Sequence, residues 1–262
     1  MNQLVADTAV ITWRNLKRIP RIPELAIFAI LQSIMFVLLF AFVFGGAIPL
    51  PNGGNYREYL MPGIFAQTIV FAAATTAVGM RDDLNKGLLD RFRSLPMARP
   101  AVLIGRILAD VVYNAGILVV LMVSGYLVGW RVNTGPMELA AGIGLLLLFA
   151  LAMTAIGVWL GLVVPSVEVA QQVSFTVLFP ITFLSNVFVP PQSLPDFLQP
   201  FAEWNPVSTL TAATRDLFGN PNPFVGTGLA GEQPALVTIL GVAAILAIFL
   251  PLGVRRYRNM SR

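Results

Sequence analysis

Six long apolar stretches run through this chain of 262 residues, and the basic residues are concentrated in alternate gaps between them. Fourteen of the 17 lysines and arginines fall in the N-terminal arm, in the second gap with its edges, and in the C-terminal tail. The first, third and fifth gaps hold one each, namely Arg57, Arg131 and Arg215. Because loops rich in lysine and arginine stay on the cytoplasmic side of a membrane, the pattern predicts six crossings with both termini cytoplasmic.

The composition supports a location in the membrane. Hydrophobic residues make up 56% of the chain and charged residues only 11%, whereas a soluble domain has about 25% charged residues. A spanning helix needs about 20 mainly apolar residues. Six segments meet this requirement: 25–48, 60–80, 101–130, 139–164, 169–189 and 235–254. We therefore expect an all-α, multi-pass integral protein of the plasma (inner) membrane, with a six-helix transmembrane domain over 25–254.

The two ends of the chain are predicted to lie on the cytoplasmic side. In the N-terminal arm, 1–24, several apolar or small residues share one side of a helical wheel: Val5, Ala9, Thr12, Trp13 and Leu16. This pattern favours a helix lying in the membrane interface, with Trp13 at the depth of the headgroups. The alternative is a basic flank that only sets the topology. Residues 255–262 form a basic cytoplasmic tail.

The second gap is predicted to contain a short amphipathic helix over 81–96. Four apolar residues recur at spacings of four, four and three: Leu84, Leu88, Phe92 and Leu95. They form one stripe on a helix, which Pro96 ends. The stripe docks either against a partner or against the cytoplasmic helix ends of the chain itself, and the sequence leaves both possibilities open.

The fifth gap, 190–234, is predicted to lie outside and is rich in proline. It also carries a short apolar stripe: Phe197, Leu198, Phe201 and Trp204. This content favours re-entrant or interfacial half-helices broken by proline. Such backbone is tolerated at membrane depth only where protein or a water-filled cavity satisfies it. The alternative is a flexible extracellular loop.

Few charged residues fall inside the predicted spans. Arg106 and Asp110 are four residues apart and share a helix face, which predicts a structural ion pair near the cytoplasmic end of the third span. Uncharged polar residues inside spans either line a path or hydrogen-bond one helix to another. The candidates for a path are Gln32, Gln67, Thr75, Thr76, Ser174, Thr182, Ser185 and Asn186. No carboxylate falls near the middle of a span, which disfavours a carrier coupled to protons or sodium.

Several kinds of chemistry are excluded by the residues the chain lacks. It has no cysteine and no histidine, which excludes thiol nucleophiles, imidazole bases and metal sites built from these residues. A phosphate-binding loop ends in Gly-Lys-Ser/Thr, but Lys17 and Lys86 follow Leu16 and Asn85. We therefore expect no ATP site and no cofactor in this chain. Nucleic acid is not an expected partner, because the basic residues flank spans where anionic lipid lies.

Two motifs carry a resemblance to a known family. The cytoplasmic run 87–97 reads GLLDRFRSLPM, and it is followed by Arg99, Gly105, Arg106, Ala109 and Asp110. A second match follows span five: Phe188, Pro190, Leu194, Pro195, Asn205, Pro206 and Arg215. With these motifs the whole chain resembles the permease subunits of type-2 ABC exporters, in particular the daunorubicin-resistance group.

The resemblance implies a set of roles and partners. The second gap would be the coupling helix that enters a groove on an ATPase, with Leu84, Leu88, Asp90, Arg91, Phe92, Leu95 and Pro96 as coupling residues. The external loop would form re-entrant helices that cap the exit path, through Pro190, Leu194, Pro195, Trp204, Asn205 and Pro206. Two permease subunits, the same or related chains, would pair around spans one, two and five. Two ATPase subunits would carry the ATP and magnesium.

The expected function is therefore export, powered by a separate ATPase, of a lipophilic or amphipathic compound such as a drug or antibiotic. One alternative is export of a lipid or glycolipid by the same architecture. Less expected are a membrane-embedded enzyme that modifies lipid and an assembly factor that transports nothing. The family often has glycine after the serine near the end of span five, whereas this chain has Asn186 after Ser185, so the substrate stays open.

Overall fold

The computed structural model describes residues 3–18, 23–44, 55–93, 96–188, 191, 194–223 and 228–260. Across these ranges the regular secondary structure is helical, without a strand, as the composition predicted. The helices in chain order are α1 Gln3–Arg18, α2 Pro23–Leu38 (continuing as a π-helical segment, Leu39–Phe44), α3 Tyr56–Asn85, α4 Leu88–Arg93, α5 Arg99–Val128, α6 Pro136–Val163, α7 Val167–Phe183, α8 Gln199–Trp204, α9 Pro206–Phe218, α10 Leu229–Glu232 and α11 Pro234–Asn259.

In the described part of the chain, four helices are long and apolar enough to cross a membrane: α3, α5, α6 and α11. Two shorter apolar helices, Ile30–Val43 and Val167–Phe183, coincide with the first and fifth predicted spans. The count of six crossings therefore stays a prediction. Helix α3 continues to Asn85 and α11 to Asn259, so both run past the predicted ends of their spans. Most of the predicted basic tail is thus a continuation of α11.

Helix α3 lies at the centre of the fold. In its most apolar 18-residue window the mean hydropathy is 1.5 and 72% of the residues are buried, whereas the corresponding window of α11 has a mean hydropathy of 2.7 with 11% buried. A helix that faces lipid must be apolar around its circumference, while an interior helix can use small and polar residues for packing. The difference indicates that α11 lies at the periphery and α3 in the interior.

Helices α3 and α6 approach closely where α6 has glycine. A Cβ atom added at Gly161 would lie 2.6 Å from the carbonyl oxygen of Ala77 and 2.7 Å from the Cβ of Met80. Gly157, one turn earlier, meets the backbone of Ala73 in the same way. Small residues spaced four apart let helix backbones pack tightly in a membrane, so these two glycines set the distance between α3 and α6.

We expect Gly161→Val to destabilise the fold by about 1–3 kcal/mol, because overpacking forces the two backbones apart. Gly144→Val is the matched control, since Gly144 lies on the same helix with no atom near its missing side chain. Thermal unfolding of the purified protein in detergent measures both changes. Equal losses in the two variants would contradict the close approach of α3 and α6.

An aromatic cluster packs at the end of the bundle opposite to Gly157 and Gly161. The rings of Phe65, Trp130 and Phe218 meet edge to face, with centroid distances of 5.2 to 6.3 Å. The indole of Trp130 donates a hydrogen bond of 2.8 Å to Asn220 Oδ1. These contacts fix the end of α9 against α3 and the loop after α5, so the predicted external segment is packed on the bundle.

Candidate functional site

The predicted helix over 81–96 is present as two separate helices. Helix α3 continues to Asn85, and α4 begins at Leu88. Between them Gly87 has φ of 65°, a conformation that glycine adopts without steric cost. The apolar stripe is therefore divided, because Leu84 belongs to α3 and Leu88 to α4. The sequence pattern missed this break because its apolar spacing continues across the glycine.

The divided stripe packs mainly on the chain itself. Leu84 and Phe92 contact a buried cluster around Met80 and Leu89. Leu88 is half-buried, and Arg91 is exposed on α4, which also contains Asp90. Of the other predicted coupling residues, Pro96 is exposed and Leu95 lies outside the described residues. The structure thus supports docking on the chain's own helix ends, while Leu88 and Arg91 stay accessible for a partner.

The N-terminal helix, α1, contacts both α4 and the segment that follows it. Three contacts connect them: Gln3 Nε2 donates to the Pro96 carbonyl at 2.9 Å, the Ala98 N–H donates to Asp7 Oδ2 at 2.9 Å, and the Arg14 guanidinium lies 4.4 Å from the centre of the Phe92 ring. On its other side, α1 inserts Ile11 against Gly105 of α5. Helix α1, α4 and the start of α5 therefore form one unit.

A buried charge cluster connects α5 to α3. Arg106 Nη1 lies 2.6 Å from Asp83 Oδ2, and its Nε lies 3.0 Å from Asp110 Oδ2. The hydroxyl of Thr76 donates to the same Asp110 oxygen at 2.8 Å. A side chain at Gly79 would overlap the guanidinium, so this glycine makes room for the cluster. Spacing along the chain predicted the contact with Asp110, but not the one with Asp83, which is 23 residues from Arg106.

A second cluster surrounds Arg215 of α9, which is completely buried. Its guanidinium donates to the carbonyls of Tyr59 and Asn186 at 2.9 Å and to that of Val187 at 3.2 Å. It also lies 3.6 Å from the centre of the Tyr59 ring. Within the described residues its hydrogen bonds go to carbonyls, with no carboxylate among them. Because arginine stays protonated in proteins, these carbonyl dipoles and the ring face hold a buried positive charge.

The Arg215 cluster fixes the irregular turn that follows α7. The Tyr59 hydroxyl donates to the Asn186 carbonyl at 2.8 Å, and the Asn186 N–H donates to Ser208 Oγ at 3.0 Å. Asn186 is fully buried, and its side-chain amide has no hydrogen-bond partner within the described residues. Helices α3, α7 and α9 therefore meet at this turn, and the asparagine adds a buried polar group there.

The segment between α7 and α9 is organised by caps. Asn205 Oδ1 accepts from the Val207 N–H at 2.9 Å, and its Nδ2 donates to the Ile181 carbonyl at 2.6 Å. Pro206 takes the first position of α9, where proline is favoured. Trp204 ends α8 and is exposed, Leu194 is partly buried, Pro195 is exposed, and Pro190 lies outside the described residues. Asn205 therefore ties the start of α9 to the end of α7.

Half of the predicted path residues donate hydrogen bonds inside the fold. The hydroxyls of Ser174, Thr182 and Ser185 donate to carbonyls three or four residues earlier in the chain. Thr76 belongs to the charge cluster. Gln67 is buried, and so is Asn186, which lies in the turn that follows α7. Gln32 and Thr75 are exposed. Three exposed, uncharged polar residues of α7 lie outside that predicted set: Gln171, Gln172 and Thr176.

An aromatic ladder joins α2 to the end of α7. Successive rings lie 4.2 to 6.0 Å apart, in the order Phe36, Phe40, Phe188, Phe183 and Phe179. The last two are 44% and 51% exposed, so the ladder presents ring faces outward. The sequence interpretation missed it, although phenylalanines four apart in α2 and again in α7 were a signal of a shared helix face.

The family model for ABC-2 type transporters matches residues 6–218, which cover most of the chain from α1 to α9. This chain belongs to the ABC-2 type transporter family. Both buried clusters and the aromatic ladder lie within the matched range, whereas α10 and α11 lie beyond it. The resemblance seen in the two sequence motifs is thus confirmed, and the ABC-2 chain is an integral membrane component of a transport system.

Two curated relatives agree with this membership. The ABC-2 chain is 32% identical over 257 residues to a daunorubicin resistance ABC transporter permease protein of Streptomyces coeruleorubidus, covering 98% of this chain and 88% of the relative. It is 28% identical over 261 residues to a probable doxorubicin resistance ABC transporter permease protein of Mycobacterium tuberculosis, covering 96% and 89%. The similarity therefore extends across nearly the whole length of each chain.

Proposed function

We propose that this ABC-2 chain is the permease subunit of an ATP-driven exporter that moves lipophilic or amphipathic compounds, such as a drug or antibiotic, out across the plasma membrane. Two copies of a separate cytoplasmic ATPase supply ATP and magnesium. A second permease subunit, the same or a related chain, completes the pathway. Each permease crosses the membrane six times with both termini cytoplasmic, and its external half-helices are re-entrant and cap the exit.

The observation that carries this proposal is the mixed character of the outward surface on α2, α3 and α7. Gln32, Thr75 and Gln172 are exposed on otherwise apolar helices, and α7 also carries the exposed rings of Phe179 and Phe183. Polar side chains at membrane depth are unfavourable in lipid unless a partner or water covers them. A second permease on this surface would enclose an apolar and aromatic path with scattered polar groups, which suits an amphipathic compound.

The two buried clusters supply a route for coupling. A partner that pushes on α4 also moves α1 and the start of α5, because these three form one unit. Arg106 transmits the movement to α3 through Asp83. At the opposite end of α3, Tyr59 contacts Arg215 and the external turn. The compound needs only to bind one of the two states better than the other for ATP use to drive transport.

We expect Leu88→Asp to reduce co-purification of the ATPase by at least about tenfold. An unpaired carboxylate buried in an apolar interface costs more than the roughly 1.4 kcal/mol that corresponds to tenfold in affinity. Leu88 serves better than Phe92 here, because Phe92 also holds Arg14. Asn85→Asp, at an exposed position, is the matched control. Undiminished co-purification of Leu88→Asp would rule out coupling through α4.

The function itself is tested by co-expressing the full chain with the ATPase encoded nearest to it and measuring ATP hydrolysis of the complex in lipid vesicles. Stimulation by amphipathic drugs is expected. Stimulation by lipids or glycolipids alone would replace the drug class and keep the exporter. No stable complex with that or any other ATPase would refute the proposal.

A further inference from the structure

An open apolar groove of about 540 Å³ lies between α1 and α5, within the roughly 300–1,000 Å³ range of small-molecule sites. Its lining includes Thr8, Ala9, Thr12 and Trp13 of α1 and Ile104 and Leu108 of α5. The Thr12 hydroxyl donates to the Thr8 carbonyl within α1 at 2.8 Å, so it is already engaged. We propose that this groove binds an acyl chain of an anionic membrane phospholipid, whose headgroup contacts Lys17.

The surface around the groove identifies the occupant as bilayer lipid. The α5 wall continues away from the groove as an exposed apolar stripe: Leu108, Val112, Val119 and Val123. In a membrane protein, a stripe of this kind along a spanning helix faces acyl chains. The groove therefore opens into the hydrocarbon layer, where phospholipid is the abundant ligand. A soluble peptide would have to cross that layer to reach it.

The charge at one end of the groove selects the headgroup. Trp13 lines the groove and is 62% exposed. The Lys17 ammonium lies 5.2 Å from the centre of the Trp13 ring and is itself exposed. Asp7, the only carboxylate of α1, accepts the Ala98 N–H instead. A cation beside an apolar groove, with the helix's single acid engaged elsewhere, complements an anionic phosphate.

This site is independent of the proposed transport, although it bears on the same part of the fold. Helix α1 also contacts Pro96 and Ala98 through Gln3 and Asp7. A lipid seated in the groove would therefore rest against the helix that holds the segment after α4. Lipid binding can be measured on the full chain without an ATPase, so its failure and the failure of the exporter proposal are distinguishable.

The test uses the purified full chain in phosphatidylcholine vesicles that contain either brominated phosphatidylglycerol or brominated phosphatidylcholine. The emission of Trp13 is obtained as the difference between the wild-type protein and Trp13→Phe. We expect brominated phosphatidylglycerol to quench this emission at least about twofold more than brominated phosphatidylcholine. Equal quenching by the two lipids would overturn the anionic site.

Two variants separate a seated lipid from general contact with the bilayer. Ala9→Phe fills the groove and is expected to abolish the preference, whereas Val10→Phe, on an exposed position outside the lining, is expected to retain it. Lys17→Gln is expected to lose the preference for phosphatidylglycerol with an unchanged melting temperature. Identical quenching in Ala9→Phe and Val10→Phe, or an intact preference in Lys17→Gln, would show that α1 only rests on the membrane surface.

Discussion

Arg215→Met is expected to lower the free energy of unfolding by at least about 3 kcal/mol, because the guanidinium makes three hydrogen bonds and a hydrogen bond to a charged group contributes roughly 1.5–3 kcal/mol. The substitution would leave the carbonyls of Tyr59, Asn186 and Val187 without the guanidinium. It would also release the turn after α7 from α9. Thermal unfolding in detergent measures the loss, and drug-stimulated ATP hydrolysis of the complex reports whether the variant keeps its proposed function.

Arg131→Met is the matched control for this prediction. Arg131 also lies over a tyrosine ring, 3.9 Å from the centre of Tyr126, and it also donates to main-chain carbonyls, those of Tyr126 and Trp130. It differs in being exposed, so water replaces its contacts and we expect a loss within about 1 kcal/mol. Arg215→Lys should fall between, since lysine keeps the charge without the planar fork. Equal losses at positions 131 and 215 would refute a special role for the buried arginine.

Arg106→Met is expected to destabilise the protein by about 3–5 kcal/mol, the usual cost of removing one partner from a buried ion pair. The variant would leave Asp83 and Asp110 without their common cation. Lys86→Met is the control, because Lys86 pairs with Asp82 at the surface and exposed pairs contribute about 0–1 kcal/mol. Thermal unfolding in detergent compares the two variants.

The electrostatic origin of the Arg106 effect can be checked separately. Asp83→Asn together with Asp110→Asn removes the negative charge that faces Arg106, so adding both to Arg106→Met should restore part of the lost stability. No recovery in this triple variant would mean that Arg106 acts through packing instead. In that case the route from α5 to α3 would not depend on charge, and the coupling proposed for these helices would need another connection.

Particular residues show which contacts a sequence pattern predicts and which it does not. The spacing of Arg106 and Asp110 predicted a contact because helix geometry alone brings residues four apart together. Asp83 belongs to another helix, α3, and no local sequence pattern predicts its contact with Arg106. Thr76 was a candidate either for lining a path or for a hydrogen bond between helices, and its hydroxyl donates to Asp110. The identity of a threonine in the sequence does not indicate whether its hydroxyl faces a path or a neighbouring helix.

The break between α3 and α4 is a backbone feature that the sequence pattern likewise did not predict. Leu84, Leu88 and Phe92 keep a helical spacing, so the pattern predicted one helix. The left-handed conformation at Gly87 ends α3 and starts a new direction. Glycine permits this turn without requiring it, and the packing of Leu84 and Phe92 on the buried cluster around Met80 and Leu89 selects it.

The sequence by itself determined the helical membrane class, the family motifs and the alternation of basic loops, because hydrophobic length and the placement of lysine and arginine are properties of short segments. Only the tertiary structure decided which polar groups pair inside the protein and which stay exposed. Arg215 and Tyr59 are 156 residues apart in the chain, and their contact exists only once α3 and α9 pack together. Burial strongly favours such pairings, because a polar group withdrawn from water without a partner costs free energy.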